Sequence, residues 1–447
     1  MELRESLDPA ALEAAAARLR PANLAFAARY PGETALRQPV HTVYQGAQHF
    51  RRDAAAEHGR QALRALERYA PTPADFARVL GIPADGAAEA LYARVVDKLE
   101  REPVEDFRVD FEDGYGVRPD AEEDAAALAV AEETARGMEA GTLPAYVGLR
   151  LKALTEETRG RSVRTLDLFL TRLLEAAGGR LPPGLLLTVP KVTVPEQAAF
   201  FADVLEMLED RRGLAEGALR FELMVEVPQA VIGADGRTPL PAFMEAARGR
   251  LAGAHFGTYD YTAGVGITVA HQGMRHPACD FARHAMQVAF AGTGVRLSDG
   301  STAVLPVPVH EGPSPSDAQE RENREAVGRA WRMHFDDVRH SLVHGFYQGW
   351  DLHPAQLPTR FAAVFGFFLA GRDAAARRLR GFLDKAAQAG DAFDDPHAGQ
   401  ALLNYFLRGM SCGAFGEAEV LEGTGLTAEE LRGRSFHHVL EARRPGA

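Results

Sequence analysis

The chain has 447 residues, of which 46% are hydrophobic and 25% are charged, the balance of a globular protein that buries a large core. It carries 50 Lys and Arg residues against 62 Asp and Glu residues, and the net charge of −12 disfavours nucleic acid as a partner. Cys279 and Cys412 are the only cysteines, which excludes a disulfide scaffold and favours a reducing cytoplasm. The longest apolar run, residues 361–370, is far shorter than the roughly 20 residues of a membrane span, so we expect no membrane association.

The first part of the chain has a helical composition. Asp8 and Pro9 suit the start of a helix, residues 10–20 are rich in alanine, and Pro21 is expected to end the helix. A β-like run at residues 40–45 follows. Residues 51–101 then show a strongly helical pattern without a strand signal.

Farther along the chain, short apolar runs alternate with amphipathic helical segments. With the run at 40–45 included, eight β-like runs are each followed by a helical pattern. Strict alternation predicts parallel strands covered by helices, and eight repeats favour a closed barrel over an open sheet. The predicted strands are 40–45, 107–111, 145–151, 185–189, 221–227, 251–256, 302–309 and 349–352.

The sequence therefore predicts an α/β protein built on a (β/α)8 TIM barrel, in three segments. We expect an N-terminal helical appendage at residues 1–39, the barrel at 40–370 and a C-terminal helical segment at 371–447. Residues 51–105 form a helical insertion after the first strand. The insertion is expected over or beside the active-site face, because the connections that follow the strands emerge there.

Charged residues stand where several predicted strands end, which is where the chemistry of such barrels lies. Four of them close successive strands from the third to the sixth: Arg150, Lys191, Glu226 and Asp260. Alternation points Arg150 into the barrel. At the end of the second strand, the period of two places Asp110 and Glu112 on one face.

Glu226 and Asp260 lie on adjacent predicted strands, so their carboxylates can meet in one cavity. Two close carboxylates repel each other, and a hard divalent cation removes that cost. Mg²⁺ takes one or two protein carboxylates and leaves its other positions to water and substrate. We therefore expect a Mg²⁺ site at Glu226 and Asp260, with Arg150 as a bidentate clamp for a substrate carboxylate and oxyanion. Taken singly, Glu226, Asp260 and Arg150 could each serve only in a salt bridge. Their placement together at one end of the barrel favours a functional site.

Six segments in order carry a resemblance to a known family. They are Asp110-Phe-Glu-Asp-Gly114, Gly148-Leu-Arg150, Val189-Pro-Lys-Val192, Met224-Val-Glu-Val-Pro228, Phe256-Gly-Thr-Tyr-Asp260 and Gly345-Phe-Tyr-Gln-Gly-Trp-Asp-Leu-His-Pro-Ala-Gln356. This set resembles the HpcH/HpaI aldolase and citrate lyase beta-subunit superfamily, which includes malyl-CoA lyases. The resemblance implies a phosphoenolpyruvate/pyruvate-type barrel that makes or breaks carbon–carbon bonds through a metal-stabilised enolate. It also implies Mg²⁺, a small keto or hydroxy acid, free or as a CoA thioester, and a homo-oligomer, a trimer or a hexamer.

The resemblance also assigns roles residue by residue. Glu226 and Asp260 match the metal ligands, and Arg150 matches the substrate-binding arginine. Glu112 and Asp113 match an acidic pair in the outer shell of the metal.

Other positions match the family less closely. Lys191 is expected to bind substrate. Two motifs depart from the family pattern: many relatives have Arg-x-Asn where this chain has Arg150-Leu-Lys152, and Pro-Lys-x-Glu where it has Pro190-Lys-Val-Thr193. The substrate is therefore left open. His353 and Gln356 match a strand-eight motif whose role we expect to be structural.

A catalytic carboxylate is expected from the C-terminal region. In malyl-CoA-type relatives, such a group reaches into the site of a neighbouring subunit for proton transfer. The similar element here is Phe393-Asp-Asp-Pro396, which makes Asp395, or its neighbour Asp394, the candidate. An Asp-Pro turn is the alternative interpretation.

Two other functions stay open. A pyruvate aldolase without CoA would use a histidine near the first strands, where His41 and His49 lie, but no Glu-His follows the second strand. A non-catalytic keto-acid-binding barrel is the other. His340 and His344 are spaced i, i+4 but lack the Glu of a zinc protease motif, so we interpret them as surface histidines.

Overall fold

Eight parallel strands form a closed barrel in the order β1 to β8, with β8 paired to β1, which confirms the predicted (β/α)8 fold. The structure, a computed structural model, describes residues 6–32, 36–312, 314–389 and 396–443, with the backbone alone at 386–389 and 396–397. The strands are β1 (His41–Gly46), β2 (Asp106–Asp110), β3 (Tyr146–Arg150), β4 (Leu185–Val189), β5 (Phe221–Val225), β6 (Leu251–Phe256), β7 (Arg296–Ser301) and β8 (Gln348–Asp351).

Every connection between consecutive strands contains at least one helix. The helices are α1 (Pro9–Arg29), α2 (Ala54–Tyr69), α3 (Pro73–Leu80), α4 (Gly86–Arg101), α5 (Asp120–Ala140), α6 (Arg159–Ala176), α7 (Pro195–Arg212), α8 (Pro228–Val231), α9 (Leu240–Ala246), α10 (Thr258–Gly264), α11 (Pro277–Phe290), α12 (Asp317–Val343), α13 (Leu357–Ala389), α14 (Pro396–Ser411), α15 (Glu417–Thr424), α16 (Ala428–Gly433) and α17 (Phe436–Ala442).

The N-terminal helix α1 is longer than predicted. Its start is as expected, because the Asp8 carboxylate accepts hydrogen bonds from the backbone N–H groups of Ala10 and Ala11. The helix then continues through Pro21 to Arg29, so the prediction that Pro21 ends it is wrong. No residue of α1 is buried, so a local distortion at the proline displaces no packed neighbour.

The seventh strand also differs from its prediction, since β7 precedes the apolar run at 302–309. Its sequence is polar because Asp299 is buried in an ion pair with Arg283, at 2.9 Å, and Ser298 is fully buried. In the run that was predicted instead, Val304 and Val309 are exposed. The apolar pattern therefore marks a surface connection.

The insertion after β1 consists of α2, α3 and α4 and packs beside the barrel, against α12 and α13. The Thr72 hydroxyl caps α3 by accepting from the Asp75 N–H, and Gly81 ends α3 in a left-handed conformation at φ +61°. The ring of Phe76 stands edge-on to Trp331 of α12, with 6.1 Å between the ring centroids. These contacts place the insertion on the flank of the barrel that carries its last helices.

A buried polar network fills part of the barrel interior. Arg108 of β2 donates to Asp106, to Glu222 at 2.7 Å and to Thr188 Oγ1 at 2.9 Å. His255 Nε2 lies 3.1 Å from the same Glu222 carboxylate. Because opposite charges meet directly, the interior holds ions without leaving one of these groups unpaired.

The seam between the first and last strands is closed by Asp351 of β8. His41 Nδ1 of β1 lies 2.7 Å from this carboxylate, His334 Nε2 of α12 lies 3.0 Å from it, and Arg360 of α13 donates to it at 2.9 Å. Burial opposes the charge of Asp351, yet these three partners hold its pKa well below the ordinary value. Burial lowers the pKa of His334, which favours the neutral ring.

The C-terminal region is helical, as predicted. Helix α13 runs without a break across residue 370, and α14, α15 and α17 pack against it. The division into three segments stays a prediction. Among the described helices, none is both long and apolar enough to cross a lipid bilayer.

Candidate active site

Charged side chains from β2 to β6 converge at the carboxyl ends of these strands. We call them the mouth cluster, which consists of Asp110, Glu112, Asp113, Arg150, Lys191, Glu226 and Asp260. Arg150 and Glu226 are buried, whereas the side chains of Asp113 and Asp260 are 62% and 49% exposed. The structure therefore brings the predicted site residues other than Asp395 together, from a buried floor to an open rim.

Arg150 is held in place by Asp110, its neighbour in register on the adjacent strand. Its Nε donates to Asp110 Oδ1 at 2.8 Å and its Nη2 to Oδ2 at 2.5 Å. The same carboxylate accepts from the backbone N–H groups of Glu112, at 2.9 Å, and Gly114, at 2.7 Å. This two-bond pairing fixes the plane of the guanidinium group.

The free side of the guanidinium faces the rim. Arg150 Nη1 lies 3.5 Å from Glu112 Oε2 and 3.7 Å from Asp113 Oδ2. The ring of Tyr44, from β1, lies 4.8 Å from the Arg150 Cζ, within the range of a cation–π contact. The expected bidentate grip on a substrate cannot use the Nε–Nη2 edge, since Asp110 occupies it. A ligand that enters from the rim can therefore contact Arg150 only on its Nη1 side.

Lys191 contacts the buried Glu226 through its backbone and the carboxylates at the rim through its side chain. Its φ of +49° is uncommon for a residue with a side chain, and it directs the backbone N–H to Glu226 Oε1 at 2.7 Å. Its Nζ contacts Glu112 and lies 3.1 Å from Asp113 and 3.8 Å from Asp260. Burial opposes its charge, but the hydrogen bond to Glu112 and the surrounding acids raise the pKa of Lys191, so the ammonium stays charged.

Glu226 and Asp260 both lie beside Lys191, and the charge of Asp260 acts on the Glu226 carboxyl group. Burial first, and the charge of Asp260 second, raise the pKa of Glu226 to about 8, although Lys191 and Arg150 offset part of the rise. Burial likewise raises the pKa of Glu112. A divalent cation removes this repulsion, and carboxylate oxygens are the donors that Mg²⁺ prefers, so the pair fits a magnesium ion.

The position of Glu226 depends on Gly257, the residue after β6. A methyl group at Gly257 would lie 2.3 Å from Glu226 Cβ and 2.4 Å from Glu226 Oε2. Both distances are below van der Waals contact. A residue without a side chain is therefore required beside the carboxylate.

Two residues of the site gained a role only from the structure. The sequence places Asp110 at a strand end, but its pairing with Arg150 depends on the register of β2 and β3. Tyr44 lies in a predicted strand, and the sequence alone indicates no functional role for it. Its hydroxyl is buried and has no hydrogen-bond partner among the described residues. The period of two along β1 is the signal that could have identified it as an inward residue.

The remaining predicted residues fall outside the mouth cluster. Asp394 and Asp395 lie outside the described residues. Gln356 accepts from the backbone N–H groups of Leu352 and His353 and donates to the Thr302 carbonyl at 2.9 Å. These bonds hold the turn after β8, in line with the structural role expected from the sequence.

A half-open cavity lies elsewhere in the molecule. It has a volume of about 240 Å³ and is lined by residues at the amino ends of the strands, including Val40, Arg296 and Tyr347. The mouth cluster lies at the opposite ends of the strands. The cavity and the charged site are therefore separate features.

Comparisons with known proteins place the chain in a family. No curated protein matches it. Among solved structures it is similar to malate synthase from Haloferax volcanii, at 14% identity and a TM-score of 0.46, covering 86% of this chain and 99% of that one. It is also similar to the citrate lyase beta subunit from M. tuberculosis complexed with oxaloacetate and magnesium, at 13% identity and a TM-score of 0.39, covering 72% and 96%. A family model matches residues 19–439, and the chain therefore belongs to the family described as "Domain of unknown function (DUF6986)".

Proposed function

We propose that this chain is a Mg²⁺-dependent enzyme that makes or breaks a carbon–carbon bond beside the carbonyl of a small keto or hydroxy acid, free or as a CoA thioester. The observation that carries the proposal is the convergence of Arg150 with the paired carboxylates Glu226 and Asp260. The sequence resemblance to citrate lyase beta subunits and aldolases supports the same reaction class.

Glu226 and Asp260 are the residues that would hold the metal. The mouth cluster contains five carboxylates and only two cationic side chains, so it favours an added cation. When bound, Mg²⁺ supplies positive charge and Lewis-acid polarisation of a substrate oxygen. With Glu226 and Asp260 as its protein ligands, the ion would remain accessible to substrate oxygens.

The other side chains of the mouth cluster act on the substrate directly or by positioning. Arg150 donates from its Nη1 side to the substrate carboxylate, or to the oxygen on which negative charge develops as the bond breaks. Asp110 keeps the guanidinium in the required plane. Lys191 neutralises Glu112 and Asp113, which lowers the repulsion that an anionic substrate would meet at the rim.

Metal binding gives the first test. Glu226→Gln and Asp260→Asn should each abolish Mg²⁺ binding in titration calorimetry with the fold intact. Asp203→Asn, in an exposed ion pair with Arg248, is the control and should leave binding unchanged. If both site variants still bind Mg²⁺, Glu226 and Asp260 are not the metal ligands.

Turnover separates the substrate classes. The enzyme should cleave either free 4-hydroxy-2-keto acids or β-hydroxyacyl-CoA thioesters, and the preferred class decides whether CoA takes part. Binding of Mg²⁺ and oxaloacetate without turnover of either class would instead identify a keto-acid-binding protein and refute the proposed reaction.

Arg150→Lys tests the arginine. A lysine is a point charge that cannot reproduce the two-bond pairing with Asp110, so kcat/KM should fall by about 100-fold or more. Mg²⁺ affinity, measured by calorimetry in the same variant, should change far less. A near-normal kcat/KM would show that the guanidinium does not contact the reacting groups.

Asp395 is proposed as the proton-transfer residue, contributed by a neighbouring subunit. Asp395→Asn should lower kcat while Mg²⁺ binding is retained, and the same loss in Asp394→Asn alone would assign the role to its neighbour Asp394. If sites are shared between subunits, mixing inactive Asp395→Asn chains with inactive Glu226→Gln chains should restore part of the activity. No restoration in mixed oligomers would place the residue in its own subunit's site.

A further inference from the structure

Two neighbouring helices on the outer layer each present a pair of potential metal ligands. Asp280 and His284 are spaced i, i+4 on α11, and His340 and His344 have the same spacing at the end of α12. Ligand atoms of Asp280, His340 and His344 all lie within 4.8 Å of one another. Residues 60 positions apart in sequence are thus brought together, on two helices that carry none of the mouth-cluster residues.

His344 is oriented as metal-binding histidines are. Its Nδ1 lies 2.8 Å from the backbone carbonyl of His340. A carbonyl only accepts, so Nδ1 carries the proton and Nε2 has a free lone pair. A backbone carbonyl on the second ring nitrogen is the usual device that fixes the tautomer of a histidine ligand.

The ring of His340 lacks the partners that a partly buried imidazole needs. Its Nδ1 is buried and has no hydrogen-bond partner within the described part of the chain. Its Nε2 lies 4.0 Å from Asp280 Oδ1, too far for a hydrogen bond. Nε2 is the ring nitrogen of His340 that faces the Asp280 carboxylate, and its lone pair can bind a metal ion placed between them.

Asp280 keeps a lone pair for a metal. Its Oδ1 accepts one hydrogen bond, from Arg283 Nη1 at 2.9 Å, and a carboxylate oxygen has a second lone pair. Arg283 is itself engaged, since its Nε donates to Asp299 at 2.9 Å. The positive charge of Arg283 is therefore matched by two carboxylates, and the cluster has room for a cation.

We propose that Asp280, His340 and His344 form a second metal site, which binds Zn²⁺ and ties α11 to α12. Two imidazoles and one carboxylate suit Zn²⁺, whereas Mg²⁺ prefers oxygen donors alone. A tetrahedral ion with bonds of about 2.0–2.1 Å would bring Nε2 of His340 and the carboxylate oxygen to about 3.3 Å. This contraction from 4.0 Å is within the reach of side-chain rotation.

The fourth position is left to water or to His284. The His284 ring is exposed, and its centroid lies 6.4 Å from that of His344. The proposal revises the sequence-based interpretation of His340 and His344 as surface histidines. They are half-buried and face a carboxylate from another helix.

The experiment uses tag-free, full-length protein in which Glu226→Gln and Asp260→Asn have removed the proposed Mg²⁺ site. This background should bind one Zn²⁺ per chain with a Kd in about the micromolar range or tighter, and excess Mg²⁺ should not displace it. Co²⁺ in place of Zn²⁺ should give the intense visible absorption of a four-coordinate ion. Absence of saturable Zn²⁺ binding would overturn the proposal.

Variants locate the site. His340→Gln and His344→Gln should each weaken Zn²⁺ binding by at least about 10- to 100-fold and abolish the cobalt spectrum. Asp280→Asn, which keeps the side-chain shape, gives the same test if a histidine variant fails to fold. His437→Gln is the control, because His437 is an exposed side chain of α17 that pairs with Glu441 at i, i+4. Equal affinity in the Asp280, His340 and His344 variants and the control would place the bound ion elsewhere.

Discussion

The pairing of Asp110 with Arg150 permits a quantitative prediction. Asp110→Asn keeps the side-chain shape but replaces one carboxylate oxygen by an amide that donates. The variant therefore loses one of its two hydrogen bonds to Arg150 and the charge that balances it. Both side chains are over 90% buried, and removal of one partner from a buried ion pair costs about 3–5 kcal/mol.

The expected loss can be converted into a melting temperature. An unfolding entropy of about 2.1 cal/mol/K per residue gives about 0.9 kcal/mol/K for 447 residues. Asp110→Asn should therefore lower Tm by about 3–5 °C in calorimetry. Because the guanidinium is no longer held in one plane, the affinity for oxaloacetate in the presence of Mg²⁺ should fall as well.

A matched control is available on the surface. Asp97 and Arg101 on α4 form the same kind of two-bond pair, but their side chains are 55% and 70% exposed. Asp97→Asn should change stability by no more than about 0.5 kcal/mol, because water screens the pair. If Asp110→Asn were as stable as Asp97→Asn, Asp110 would not be compensating a buried Arg150, and the positioning role would be wrong.

Two further predictions concern the site and acid stability. Gly257→Ala should displace the Glu226 carboxylate and weaken Mg²⁺ binding at least about tenfold in calorimetry, whereas Gly273→Ala, which meets open space, should not. Unchanged binding in Gly257→Ala would show that the carboxylate can move without loss. The second prediction rests on the lowered pKa of buried His334, which stays neutral in the fold but takes up a proton when unfolded below its ordinary value of 6.5. Stability should fall as pH decreases below about 6.5, by up to about 1.4 kcal/mol per pH unit, and thermal unfolding of His334→Gln should show a shallower slope. An identical slope in wild type and variant would exclude His334 as its source.

The barrel was predictable because its signal repeats. Seven of the eight strands lie where apolar runs were recognised, and each is followed by a helical pattern. The exception, β7, is buried through ion pairing and a polar interior, so its sequence has no apolar run to recognise. Pro21 is the converse case, since a strong helix breaker is tolerated in a helix that has no buried residue.

The site was predictable to the level of strand ends and no further. Parallel strands share one carboxyl edge, which is why Arg150, Lys191, Glu226 and Asp260 could be grouped without a structure. The pairing of Asp110 with Arg150 needs the strand register, which one sequence does not contain. The contact of Asp280 with His340 and His344 needs the packing of two outer helices, so spacing along either helix alone pointed to a surface.

The bond between His41 and Asp351 also has a consequence for how the chain is made. These residues are 310 positions apart, so bringing them together costs about 5 kcal/mol of loop-closure entropy before any strand contact compensates it. At a synthesis rate of about 5–20 residues per second, β1 leaves the ribosome about 15–60 s before β8 exists. For that interval one edge of β1 has no partner strand, and an unpaired strand edge is a place where chains can aggregate.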